Sequence, residues 1–111
     1  MRAFLLTILF VFSTTPAFAS GSTDWGKVSE IYVNGGWTMV KVEGIDDNPD
    51  SCQQPNYYAL NPTQLNYETL HSTLMTALVT GQSVRFWVDG CNGQNNEHPH
   101  IASVFVKAPS N

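Results

Sequence analysis

The residues of this chain best suited to chemistry are aromatic rings and one guanidinium. In Ser83–Val88, Val84, Phe86 and Val88 alternate with Arg85 and Trp87. A strand there turns its apolar side chains one way and Arg85 with Trp87 the other. A ring beside a guanidinium can stack on a sugar and hydrogen-bond its hydroxyls. Tyr32 and Trp37 are candidates to join them from an earlier hairpin. The competing reading packs these four side chains under the helix, a loop or a neighbouring subunit, and its last form implies an oligomer.

Other constellations carry less. Glu97-His98-Pro99-His100 places two imidazoles one residue apart, a spacing that can aim both the same way on a strand toward a metal. Asp89 is a candidate to lie nearby across the disulfide loop, but no obvious third or fourth ligand follows. They read as solvated loop histidines, with no metal and no cofactor. Asp46, Asp47, Asn48 and Asp50 offer oxygens to calcium but lack the EF-hand spacing, so a polar turn is expected. Ser, His and Asp occur without a G-x-S-x-G elbow, an H-E-x-x-H helix or a phosphate loop. Spacing does not make Asp46, Asp47 and Asp89 converge either. The chain reads as a binding protein, not an enzyme.

These candidates need a scaffold, and its centre is Tyr67–Thr80. Tyr67, Leu70, Leu74, Ala77 and Leu78 recur at spacings of three and four and share one helical face. Asn66 is placed to cap that helix, Glu68 puts negative charge in its first turn, and Gly81 supplies a left-handed stop. Upstream, Gly26–Asn34 alternates as Val28, Glu30 and Tyr32 against Ser29, Ile31 and Val33, so apolar and polar residues mix on both faces. Asn34-Gly35-Gly36 is a hairpin turn, and Trp37–Glu43 is its return strand, with Trp37 and Met39 opposite Val40 and Val42. Gly44–Gln54 is a loop and Pro55–Leu60 a third strand, broken by Asn61-Pro62-Thr63.

Downstream, Ser83–Val88 is a strand, Asn92–Pro99 a polar loop and His100–Lys107 the last strand. In that strand Ile101, Ser103 and Phe105 lie opposite Ala102, Val104 and Val106. Ser20–Trp25 reads as a polar lead-in and Ala108–Asn111 as a frayed tail. Strand, strand, strand, helix, strand, strand predicts a mainly β, α+β fold: a five-stranded OB-fold-like barrel with one helix between strands 3 and 4. A simple α+β sandwich is the alternative. Closing the sheet would remove its exposed edges.

The first residues carry one Arg, an apolar run from Ala3 to Phe12 and Ala17-Phe18-Ala19. That is the layout of a signal peptide over residues 1–19, cleaved after Ala19. A run of roughly ten apolar residues is too short for a membrane span, which takes about 20. Residues 20–111 then form a single OB-fold-like domain, secreted or periplasmic. The whole chain carries formal net charge −4. Removing Arg2 with the leader leaves Lys27, Lys41, Arg85 and Lys107 as the strong cations. That acidic balance disfavours nucleic acid and anionic lipid as partners. In an oxidising compartment Cys52 and Cys91, the 2 cysteines of the chain, are expected to form a disulfide. It would close a loop of about 39 residues, worth about 4 kcal/mol.

Val28–Val33, the Gly81-Gln82-Ser83-Val84-Arg85 run and the paired cysteines resemble the subtilase cytotoxin B-subunit-like OB-fold proteins. Trp25-Gly26-Lys27-Val28 and Asp89-Gly90-Cys91 are similar to the pattern of a group of short secreted proteobacterial proteins, W-G-K-V…I-Y…C…Y…L…A…G…V…D-G-C. The resemblance implies a secreted binding module that recognises a glycan or a cell-surface ligand as a homo-oligomer, a pentamer in the toxins. A serine central to sialic-acid binding in that family falls here at Asp24, whose carboxylate would repel a sialic acid, so that site is not carried over. The expected contacts are Tyr32, Trp37, Arg85 and Trp87. The expected partner is a glycan or surface protein; the alternative function is a periplasmic protein-interaction factor, an inhibitor or immunity-type protein working as a monomer through the same surfaces.

Overall fold

The computed structural model describes Thr7 and residues 20–109, and Tyr67–Thr80 is the one α-helix (α1) among them. The leader expected over residues 1–19 lies outside the described residues, Thr7 apart. Leu70, Leu74 and Ala77 are the buried residues of α1, with Tyr67 and Leu78 packed at its margins, so the three-and-four spacing does set the buried face. Gly81 ends the helix at φ 71°, and its N–H donates to the Ala77 carbonyl. Asn66 stands at the N-cap but makes no side-chain cap bond. Its Oδ1 accepts instead from Gln64 Nε2 at 3.0 Å.

The described residues also form six strands: β1 Gly21–Ser22, β2 Gly26–Asn34, β3 Trp37–Val42, β4 Tyr58–Leu60, β5 Ser83–Asn92 and β6 His98–Lys107. β2 pairs with β3, β3 with β4, β4 with β6, β6 with β5, and β5 with β2, a ring-like sheet of five strands. The ring is thinnest at the parallel β4–β6 link, Ala59↔His100, and at the β2–β5 link, Gly26↔Val84 with Lys27↔Ser83. The lead-in is not irregular throughout: Gly21–Ser22 adds a short strand to β5. Thr23 extends this attachment, since its N–H donates to the Phe86 carbonyl and its Oγ1 accepts from the Phe86 N–H at 3.0 Å.

Val28, Val40, Val42, Tyr58, Leu60, Val84, Phe86, Val88 and Ile101 form one buried cluster with Leu70, Leu74 and Ala77 of α1. Two irregularities decide which residues reach this core. In β2 the register shifts between Val28 and Glu30, so Val28 and Ile31 both contribute inward, not Val28 with Tyr32. In β6, Trp87↔Ser103 is followed by Val88↔Ile101, which leaves Ala102 as the extra residue. Ile101 and Val104 therefore pack on the core while Ser103 and Phe105 are exposed, correcting the strict alternation expected there. One inserted residue reverses every later side chain of a strand.

A polar chain, buried only at Thr38, ties α1 to the hairpin. Thr38 Oγ1 lies 2.7 Å from His71 Nδ1 and 2.8 Å from Tyr67 Oη, and Tyr67 Oη donates to the Gly36 carbonyl at 2.9 Å. One proton order satisfies all three contacts: His71 donates to Thr38, Thr38 to Tyr67, and Tyr67 to Gly36. The Cys52–Cys91 disulfide is present, at sequence separation 39. It pins the β3–β4 loop to the end of β5, helped by Gln54, whose N–H donates to the Glu97 carbonyl and whose Nε2 donates to the Glu97 carboxylate at 2.9 Å. No described helix is long and apolar enough to cross a membrane.

Candidate functional site: the outer face of β5 and β6

Along β5, Val84, Phe86 and Val88 are buried while Arg85 is half-buried and Trp87 and Asp89 are exposed. Arg85, Trp87 and Asp89 thus leave a cation, an indole and a carboxylate uncovered along β5, with the pairing to β6 shifting between Trp87 and Val88 and again between Val88 and Cys91. Cross-strand register adds the flanks. Arg85 faces Phe105 on β6 and meets Trp25 on its other side, with its guanidinium carbon 4.9 Å and 5.1 Å from the two ring centroids. Trp87 lies between Ser22 of β1 and Ser103 of β6, both exposed.

These two rows differ in what they leave free. In the first, the Arg85 guanidinium is stacked on Trp25 and Phe105, and its Nε is buried without a hydrogen-bond partner among the described residues. Lys107 Nζ sits 4.4 Å from the centre of the Trp25 ring, so two of the four lysines and arginines among the described residues lie against one indole. In the second row Trp87 is 40% exposed, and no ring or cation stacks on it among the described residues. The residues paired with it on either side are the small side chains Ser22 and Ser103.

Asp89 closes the strip. Its Oδ1 lies 2.9 Å from His100 Nδ1, while the carboxylate as a whole is half exposed. His100 Nε2 lies 2.8 Å from Gln64 Oε1, and that oxygen also accepts from the Asn61 N–H at 3.2 Å, which fixes the amide's orientation. Both ring nitrogens of His100 are thereby occupied, leaving none for a metal or to serve a nucleophile. His98 is buried, with its ring edge-on to Tyr57 at 6.4 Å. The expectation of solvated loop histidines fails because β6 begins at His98, two residues earlier than expected, and sheet pairing draws both rings down. Among the described residues no group of three or more His, Cys, Asp or Glu could hold a metal.

Tyr32 and Trp37 make their contacts elsewhere. Tyr32 is half-buried, 5.1 Å from Tyr57 in an edge-to-face pair, and Tyr57 donates to Glu30 Oε1 at 3.2 Å. Trp37 starts β3 opposite Asn34 and lies over Gly35. Neither has a ring or cation–ring contact with Arg85 or Trp87 among the described residues; the hairpin carries them toward Tyr57 and the turn. The acidic loop folds back on backbone groups, as a polar turn should. Asn48 Oδ1 accepts from the Cys52 N–H, Asp47 Oδ2 from the Asp24 N–H, and Asp50 from the Gly90 N–H.

Sequence reading overlooked Trp25, Phe105, Ser22 and Ser103. Phe105 and Ser103 could have been found from their shared parity in β6, but Trp25 and Ser22 join only because the lead-in pairs with β5. No family model, curated protein or solved structure matches the chain.

Proposed function

We propose that this protein is a secreted or periplasmic, non-catalytic binding module that recognises a glycan through the outer face of β5 and β6. The observation that carries this reading is the exposed, unstacked indole of Trp87, set between two serines and in line with Asp89 and Arg85. An indole face takes up the C–H side of a pyranose, and the flanking hydroxyls and carboxylate can pair with its hydroxyl groups. The cyclic order β2-β3-β4-β6-β5, with one helix between the third and fourth ring strands, supports an OB-fold barrel as the scaffold.

The test is a glycan-array screen of the chain from Ser20 onward, followed by titration with intrinsic tryptophan fluorescence as the readout. Trp87→Ala should abolish binding while the far-ultraviolet circular dichroism is unchanged, because the side chain is exposed. Unfolding of that variant, or undiminished binding, would remove the proposal.

A second reading rests on the outer face of α1. Val79 is 81% exposed and Met75 40%, beside a groove of about 580 Å³ lined by Glu68, Thr69, Ser72, Thr73, Thr76, Gln82 and Val106. A helix face with a single charge suits a protein partner, as an inhibitor or immunity-type factor would need. Mass in solution separates the readings. A homo-oligomer such as a pentamer favours the first, and a monomer holding one partner protein favours the second.

A further inference from the structure

We infer that the sugar this face takes is a neutral pyranoside, held by Asp89 as a hydrogen-bond acceptor, and that acidic sugars are selected against. The inference rests on the glycan reading above and specifies its substrate class. Two charges of opposite sign flank Trp87, and the ligand's charge preference depends on which one is available. Arg85 is held in its own row, its guanidinium stacked on Trp25 and Phe105 with Nε buried. Lys107, the other nearby cation, sits over Trp25, one row away from Trp87.

Asp89 is available. Its Oδ1 is engaged by His100, which fixes the side chain, and no hydrogen bond engages Oδ2 among the described residues. Half of the side chain is exposed, two residues beyond Trp87 along β5. A carboxylate oxygen accepts hydrogen bonds and donates none, so it suits the hydroxyl donors of a sugar lying on the indole. Ser22 and Ser103 can each donate or accept and so complete a ring of polar contacts without adding charge. A ligand carboxylate would be brought to within about 6 Å of Asp89. Two like charges at that separation weaken binding by roughly threefold at the permittivity of water and about a hundredfold at that of a protein surface, so about tenfold is expected.

The experiment titrates the chain from Ser20 onward with matched pairs of oligosaccharides, each ending in a neutral hexopyranoside or in the corresponding uronic acid, plus a sialylated probe. Neutral ends should bind about tenfold more tightly than acidic ends. Asp89→Asn should weaken the neutral probes and shrink that ratio toward one. Ser103→Asp, which adds a carboxylate on the other flank, should widen it, and it serves as the second readout if Asp89→Asn fails to fold. Acidic probes binding as tightly as neutral ones, with binding lost in Trp87→Ala, would overturn the neutral preference and leave the glycan reading standing. An unchanged ratio in Asp89→Asn would do the same. Failure of every probe to bind would remove both.

Discussion

Opening the Cys52–Cys91 bridge is the most informative perturbation of this fold. The bond joins residues 39 apart and ties the long β3–β4 loop to the end of β5. In the chain-entropy model a loop of that length lowers the entropy of the unfolded chain by an amount worth about 4 kcal/mol at 25 °C. A domain of this size has a total stability of about 5–15 kcal/mol, so the bridge is a large part of the whole. The loop keeps other anchors when the sulfurs part: Asn48 still holds the Cys52 backbone, and Gln54 still bonds Glu97. The native contacts therefore survive, and the loss comes mainly from the freed unfolded chain. Urea titration of the oxidised protein, the same protein in excess phosphine reductant, and the Cys52→Ala/Cys91→Ala variant measures it. With a urea slope of about 1 kcal/mol/M, the midpoint should fall by about 4 M on reduction. The double variant should fall as far or slightly further, since Cys52 is buried and its removal leaves a small void. A shift below about 1 kcal/mol would refute the reasoning and mean that the local hydrogen bonds already fix the loop in the unfolded chain.

Thr38→Val should destabilise the protein by about 1–3 kcal/mol, because it leaves the Tyr67 and His71 groups without their buried partner. The accompanying thermal shift should be absent when the same change is made in a Tyr67→Phe/His71→Phe background. Gly93→Ala should cost more than about 1 kcal/mol in chemical denaturation. Gly93 has φ +80°, and a Cβ would come within 3.1 Å of His98 and 3.2 Å of both Ala59 and Met39. Alkaline stability should follow Tyr58. Burial first, then Asp47, Asp46 and Asp24, raise its phenol above the ordinary 10.0, and its hydroxyl donates to the Asp47 carbonyl. The folded state therefore holds its proton longer than the unfolded chain does. The contribution is complete below pH 10.0 and is lost as pH rises beyond it. Ultraviolet titration should show this phenol ionising only with unfolding, whereas Tyr58→Phe should flatten the alkaline loss.

Local chemistry was enough to place most elements. α1 begins and ends where the three-and-four spacing and Gly81 put it, and β2 spans Gly26–Asn34 as its composition implies. Helix periodicity, a left-handed stop and an Asn-Gly-Gly turn are properties of a few neighbouring residues, so they can be read without knowing what they pack against. The outward parity of Arg85 and Trp87 is of the same kind. The pairing of Cys52 with Cys91 followed from there being two cysteines and an expected oxidising destination.

What tertiary structure decided is everything that needs two distant segments at once. The shifts at Val28–Glu30 and at Ala102 exchange inward for outward residues, and no single strand announces them, because a bulge is a relation between two strands. Likewise Tyr32 and Trp37 share aromatic character with Trp87, yet the hairpin carries them away, while a lead-in that looked featureless delivers Ser22 and Trp25 to its sides. A sequence specifies which side chains a strand can offer outward; only the register of its neighbours determines which of them stand together and which remain free to meet a ligand.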